Sequence, residues 1–180
     1  EVFMSSFRGH VKGSSQVMMP PVKMLDAFGK LVTQSRNYAI TLNPYAEERP
    51  FTPFETDQSV SPGSFLTLMR GSVFKGMREA LYSGTAARLG TLLKNGSPYY
   101  YYAKTGTTGD DELKAKSKLF TLVISKREID KEGFNFRNNR FVVLYFTSQN
   151  GPAKQNEEFQ ARVVRMVESS AAFQRYMEAD

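Results

Sequence analysis

Apolar residues recur at helical spacing in three stretches of this chain and run nearly unbroken in two others. Residues 1–19, with Gly9, Gly13, Ser14 and Ser15, read as irregular. Pro20 and Pro21 suit a helix start, and Val22, Leu25, Phe28 and Leu31–Val32 then fall on one face. Tyr38-Ala39-Ile40-Thr41-Leu42 is a short strand candidate. Pro44, Pro50, Pro53 and Pro62 break regular structure across 43–63, which predicts a long surface excursion of the kind that can line a site. Ser64 can cap a second helix, with a predicted buried stripe of Phe65, Met69, Val73, Met77 and Leu81. Gly71 and Gly76 weaken that helix but allow close packing, and Gly84 suits its stop. Ala86 to Leu93 predicts a short helix ended by Asn95-Gly96.

The second half changes period. Tyr99 to Lys104 is strand-like, and its four tyrosines alternate between two faces. Leu119 to Ile124 and Phe141 to Phe146 are near-continuous apolar runs, the pattern of central strands covered on both faces. Gly109-Asp110-Asp111 predicts the turn between the first two strands, and Asp130 to Asn139 a polar tip between the second and third. Such short connections favour antiparallel pairing. From about Gln155 an amphipathic helix closes the chain, with Phe159, Val163, Val167, Phe173 and Met177 on its predicted inner side. Glu157 and Glu158 suit its N-terminal dipole. The expected fold class is α+β, an antiparallel β-sheet flanked by helices, with no internal repeat and no boundary that divides residues 1–180.

Composition narrows the chemistry. With 180 residues and 41% hydrophobic content the chain can bury one core. It has no Cys, hence no disulfide framework or thiolate chemistry, and no apolar run of membrane-spanning length. The net charge of +6 favours anionic partners in general. Acids interleave the bases, however, as where Asp110, Asp111 and Glu112 precede Lys114, Lys116 and Lys118, so the excess reads as a solvated surface. His10 is the single histidine; with no Cys and no second His it predicts a loop residue, neither a triad member nor a metal ligand. No cofactor fingerprint is present.

The most informative stretch is Lys104-Thr105-Gly106-Thr107, directly after Tyr99-Tyr100-Tyr101-Tyr102-Ala103. It places a cation and two hydroxyls on a strand whose glycine lets a ligand approach the backbone, an arrangement suited to an anionic substrate laid edge-on against a sheet. K-T-G is also a signature of penicillin-binding proteins and serine β-lactamases. Upstream stand Phe74-Lys75-Gly76-Met77-Arg78-Glu79-Ala80-Leu81 and then Gly84-Thr85-Ala86. Together these blocks resemble the GM…GTA…KTGT stretch of penicillin-binding transpeptidase domains. Ser15 to Met24, with Pro20-Pro21, is similar to the segment in that family where a proline opens a helix.

The resemblance implies the C-terminal portion of a penicillin-binding (β-lactamase-like) transpeptidase domain. Its Lys104, Thr105, Gly106, Thr107 and Thr108 would form the wall that binds the substrate or β-lactam carboxylate, and the Thr107 backbone N–H would be one oxyanion-hole donor. The family's nucleophile is the Ser of S-x-x-K, followed by S-x-N, with K-T-G last. Ser72-Val73-Phe74-Lys75 and Ser35-Arg36-Asn37 match those patterns in reversed order, so Ser72 is expected to be a decoy and the nucleophile to lie upstream of Glu1, which opens the chain as if in mid-domain. The implied partners are the peptidoglycan stem peptide, β-lactams and the remainder of the transpeptidase domain. The implied location is the periplasm or the extracytoplasmic face of a bacterial inner membrane, with membrane attachment only through an upstream anchor. Two alternatives keep other classes open: a catalytically inactive penicillin-binding-like protein of the cell envelope, and a basic aromatic surface for single-stranded nucleic acid. The bases are not gathered on one strand face, which disfavours the latter.

Overall fold

A computed structural model describes residues 21–33, 65–94, 96–110, 115–135, 139–149 and 153–178. The strand candidate at Tyr38–Leu42, the excursion at 43–63, His10 and the Ser35-Arg36-Asn37 match lie outside the described residues. In order, the elements are α1 (Pro21–Thr33), α2 (Phe65–Tyr82), α3 (Ala87–Lys94), β1 (Tyr100–Asp110), β2 (Ala115–Ser125), β3 (Phe141–Gln149), α4 (Ala153–Ser169) and α5 (Ala171–Glu178). The three strands form an antiparallel sheet in the order β1-β2-β3. The fold class is α+β.

Strand alternation divides the apolar residues between two cores. On one face Tyr101, Ala103, Phe120, Leu122 and Ile124 pack with Leu89 and Leu93 of α3, Ala161 and Val164 of α4, and Phe173 and Met177 of α5. On the other, Tyr102 and Val123 pack with Phe74 and Met77 of α2, Val32 of α1, and Ile129. The sheet is therefore sandwiched between helices. β2 is the central strand, with Leu122, Val123 and Ile124 fully buried.

Several sequence expectations shift in informative ways. β3, expected to be central, pairs only with β2 among the described residues, and Phe141 to Phe146 are half-buried. β1 and β2 run further than their apolar cores, out to Asp110 and back from Ala115, so Gly109 and Asp110 belong to the ladder and not to the turn. Thr105, Thr107 and Thr108 favour the extended backbone, and cross-strand pairing carries the polar part of the hairpin. Among the described side chains the inner stripe of α2 is Arg70, Phe74, Met77 and Leu81, whereas Val73 is 37% exposed; the side chains of Phe65 and Met69 lie outside the described residues. In the closing helix Phe159 is 58% exposed while Gln160, Ala161 and Val164 are buried. Val167, Phe173 and Met177 pack into the core as expected, and the helix breaks at Ser170, whose Oγ accepts the Phe173 N–H at 3.2 Å and caps α5.

The segment after β2 is polar and exposed at Lys131, Glu132 and Asn135, as expected of a tip, but buried groups anchor it. Ile129 is fully buried, Phe134 packs into the α1–α2 core, and buried Asn139 accepts the Arg127 N–H at 2.9 Å and bonds Ser125. Its apolar residues fold it back under α2 despite the charges around them.

α2 and α3 meet so closely that one position admits only glycine. A Cβ on Gly90 would stand 1.9 Å from the Leu81 carbonyl oxygen, a backbone atom that cannot rotate away. Gly90→Ala is expected to destabilise the fold by about 1–3 kcal/mol or more through overpacking. Gly76, on α2 with no described neighbour within 4 Å of a built Cβ, is the control. Gly76→Ala is expected to stabilise by roughly 0.5–1 kcal/mol from lower unfolded-state freedom. Urea denaturation of the two variants checks both signs.

Candidate functional site

The Lys104-Thr105-Gly106-Thr107 stretch lies within β1 and not at its end, paired in register with Thr121, Phe120, Leu119 and Lys118 of β2. Among the described residues β1 pairs on one side only, so the motif occupies an edge of the described sheet, a position that suits an extended peptide. Alternation sends Lys104 to the face that carries Tyr102 and Thr105 to the opposite face. Lys104 is exposed, and its Nζ donates to the Thr105 carbonyl oxygen. Thr105 is half-buried, and its Oγ1 lies 2.7 Å from Thr85 Oγ1. Thr85 belongs to the turn between α2 and α3, so the Gly84-Thr85-Ala86 and Lys104-Thr105-Gly106-Thr107 blocks meet in space.

Gly106 is not dictated by packing. Its φ is not among the positive ones, and a Cβ there would make only ordinary contact, 3.6 Å, with Leu119 Cβ among the described residues. The missing side chain leaves a bare step of backbone two residues from Lys104, which a ligand can approach. The backbones of Thr107 and Thr108 continue the strand opposite Lys118 and Ser117; their side chains lie outside the described residues.

What holds this edge in place is a hydrogen-bonded cluster two residues earlier. The fully buried Tyr102 meets Phe74 edge-on, with centroids 5.2 Å apart at 83°. Its hydroxyl donates to Asp130 Oδ1 at 2.9 Å and accepts the Ile129 N–H at 2.7 Å. Arg78 of α2 donates to Glu128 at 2.5 Å and to Asp130, and lies 5.7 Å from the centre of the Tyr102 ring. Burial pushes the Tyr102 phenol up, and the Asp130 carboxylate pushes it further. Burial alone would lower the Arg78 guanidinium, but its bonds to Glu128, Asp130 and Tyr102 raise it above its ordinary value. Arg78 therefore stays a cation and Tyr102 a neutral donor.

Ser72 and Lys75 are both exposed on α2, away from the stripe that faces β1. The structure does not bring Ser72 and Lys104 onto a common face. Among the described residues no three His, Asp or Glu side chains gather as a metal site, and no helix is long and apolar enough to cross a membrane. No protein-family model, curated protein or solved structure matches this chain.

Sequence reasoning quoted Thr85 in its block but gave it no role; the bond to Thr105 supplies one. The Tyr102–Asp130–Arg78 cluster carried no sequence signal, because Asp130 sits in a charged stretch that reads as solvated. Tyr102→Phe removes a donor to a carboxylate and an acceptor for a buried N–H. It is expected to lower stability by roughly 1–3 kcal/mol, whereas Tyr100→Phe, at a residue 40% exposed, should be neutral. Thermal melts monitored by circular dichroism measure the contrast.

Proposed function

We propose that this chain supplies the carboxylate-binding wall of a penicillin-binding D,D-transpeptidase, the C-terminal portion of a β-lactamase-like domain. The observation that carries the reading is the meeting of the two motif blocks at the sheet edge: exposed Lys104, bare Gly106, and Thr105 tethered to Thr85 at 2.7 Å. In this reading Lys104 attracts the substrate's terminal carboxylate. Thr105 and Thr107 offer hydroxyls, Thr108 extends the wall, and the Thr107 N–H is one of two oxyanion-hole donors. The nucleophile is a Ser of an S-x-x-K motif supplied by the parent polypeptide, which forms an acyl-enzyme with a D-Ala-D-Ala stem peptide; an amine then resolves it and cross-links peptidoglycan. β-Lactams imitate the donor and trap the same Ser. Activity of this kind belongs outside the cytoplasmic membrane, where peptidoglycan is assembled.

The outward placement of Ser72 and Lys75 supports a wall without its own nucleophile. The chain alone is accordingly expected to form no covalent adduct with a labelled penicillin by intact-mass spectrometry, and a stoichiometric adduct on Ser72 would overturn that assignment. In the parent polypeptide that carries the S-x-x-K serine, Lys104→Ala removes a charge-assisted hydrogen bond worth roughly 1.5–3 kcal/mol. Acylation should then slow by about one to two orders of magnitude with little change in Tm. Lys104→Arg should recover only part, because a planar fork replaces a point ammonium. Unchanged acylation in folded Lys104→Ala protein removes Lys104 from the site.

A further inference from the structure

Ser97, Pro98 and Tyr99 lead into β1 and, with Leu93 of α3 and Arg165 and Glu168 of α4, wall a cavity of about 380 Å³. That volume falls at the small end of the roughly 300–1,000 Å³ usual for small-molecule sites. Tyr99 precedes Lys104 by five residues, about 16 Å of strand, and the cavity's polar group hangs from Tyr101, on the face opposite Lys104. The cavity is thus separate from the sheet edge described above, and nothing about it rests on the proposed transpeptidase role.

Part of its lining is apolar. Leu93 is buried, and the Tyr99 ring is fixed edge-on against Phe173 with centroids 5.3 Å apart. Its lining also carries two opposite charges one helical turn apart. Glu168 is half-buried; its Oε1 accepts the Tyr101 hydroxyl, which in turn lies 2.5 Å from Ser97 Oγ. Burial pushes the Glu168 carboxyl up, although the Tyr101 bond and the Arg165 charge pull the other way. Arg165 is exposed and spends one N–H on the Leu92 carbonyl at 2.9 Å. The ion pairs formed by Arg78 and Arg88 involve neither Arg165 nor Glu168.

Glu168 and Arg165 feel each other's charge across one helical turn without a direct ion pair, and a half-buried carboxylate and a guanidinium that line one cavity are matched by a ligand that carries both charges. A simple cation would be repelled by Arg165 and a simple anion by Glu168. We propose that this cavity binds a small zwitterion of the α-amino-acid type with an apolar side chain. The ammonium lies on Glu168, the carboxylate on Arg165, and the side chain against Leu93, Pro98 and Tyr99. Ser97 and Tyr101 act as positioning residues that hold the Glu168 carboxylate toward the cavity.

The test is an amide chemical-shift titration of the full chain with phenylalanine as probe, beside N-acetylphenylalanine and phenylalaninamide, which each lack one charge. Saturable shifts centred on Ser97, Tyr99 and Arg165, with a Kd on the order of 1 mM, are expected. Each derivative should bind about tenfold more weakly or worse, the loss expected of one charge-assisted hydrogen bond. Glu168→Gln keeps an acceptor for Tyr101, so amide dispersion should persist while phenylalanine affinity falls about tenfold or more. Arg165→Gln should do the same. The proposal is overturned by shifts that do not saturate, by equal binding of all three probes, or by unchanged affinity in folded Glu168→Gln protein. Because the two derivatives are tested on the unsubstituted chain, a variant that fails to fold leaves the decision intact.

Discussion

The hydroxyl of Tyr102 joins three segments that are far apart in sequence: β1, the Arg78 turn of α2 and the loop at Ile129–Asp130. The Asp130 side chain is only 9% exposed and would be costly to leave without a counter-charge. Arg78 supplies that charge, and the tyrosine supplies a neutral donor that fixes its direction. This cluster sets how far β1 stands from α2. Lys104 follows two residues later on the same face, about 7 Å along the strand. The presentation of Lys104 at the edge therefore depends on a buried network that no residue of the motif enters.

Tyr101 and Tyr102 make the same kind of bond into opposite cores. Each is buried in the sheet, each passes its hydroxyl to a carboxylate, and burial pushes each phenol up. The two carboxylates fare differently. Asp130 is in direct contact with Arg78, whereas Glu168 bonds the tyrosine and feels the Arg165 charge without a direct ion pair. The first arrangement closes on itself and serves the fold. The second leaves a half-buried carboxylate without a direct ion pair at the wall of a cavity. The difference between the two arrangements is one guanidinium in direct contact with the carboxylate.

Much of the element order was legible in the sequence, because helical and strand periods are local. The β2 run Leu119–Ile124 is apolar at every position but Thr121, and it is the central strand. What periodicity missed is tertiary in origin. β3 is as apolar as β2, yet it is half-buried, since a run of Val and Phe does not encode how many neighbours the strand has. The stripe of α2 includes Arg70, 5% exposed, which no hydrophobic pattern would select; its guanidinium lies 4.9 Å from the centre of the Phe134 ring and is lowered by burial. At the sheet edge, Lys104, Thr105 and Gly106 were named from the motif alone. Thr85 became meaningful only when the turn after α2 came to rest on β1.

The Ser72-x-x-Lys75 pattern illustrates why spacing alone is weak. Any helix brings residues i and i+3 to one side, so every S-x-x-K in a helix satisfies the local geometry of a serine beside an amine. Orientation is the discriminating property. α2 packs toward β1 through Phe74, Met77 and Leu81, and at 3.6 residues per turn Ser72 falls on the opposite side of the helix. Rotating α2 to aim Ser72 at the sheet would return those three side chains to water at about 1.5–3 kcal/mol each and break the Arg78 bonds to Glu128 and Asp130. The same apolar stripe that gives α2 its place in the fold thus keeps Ser72 off the sheet edge. A serine that attacks a ligand on β1 has to come from another segment.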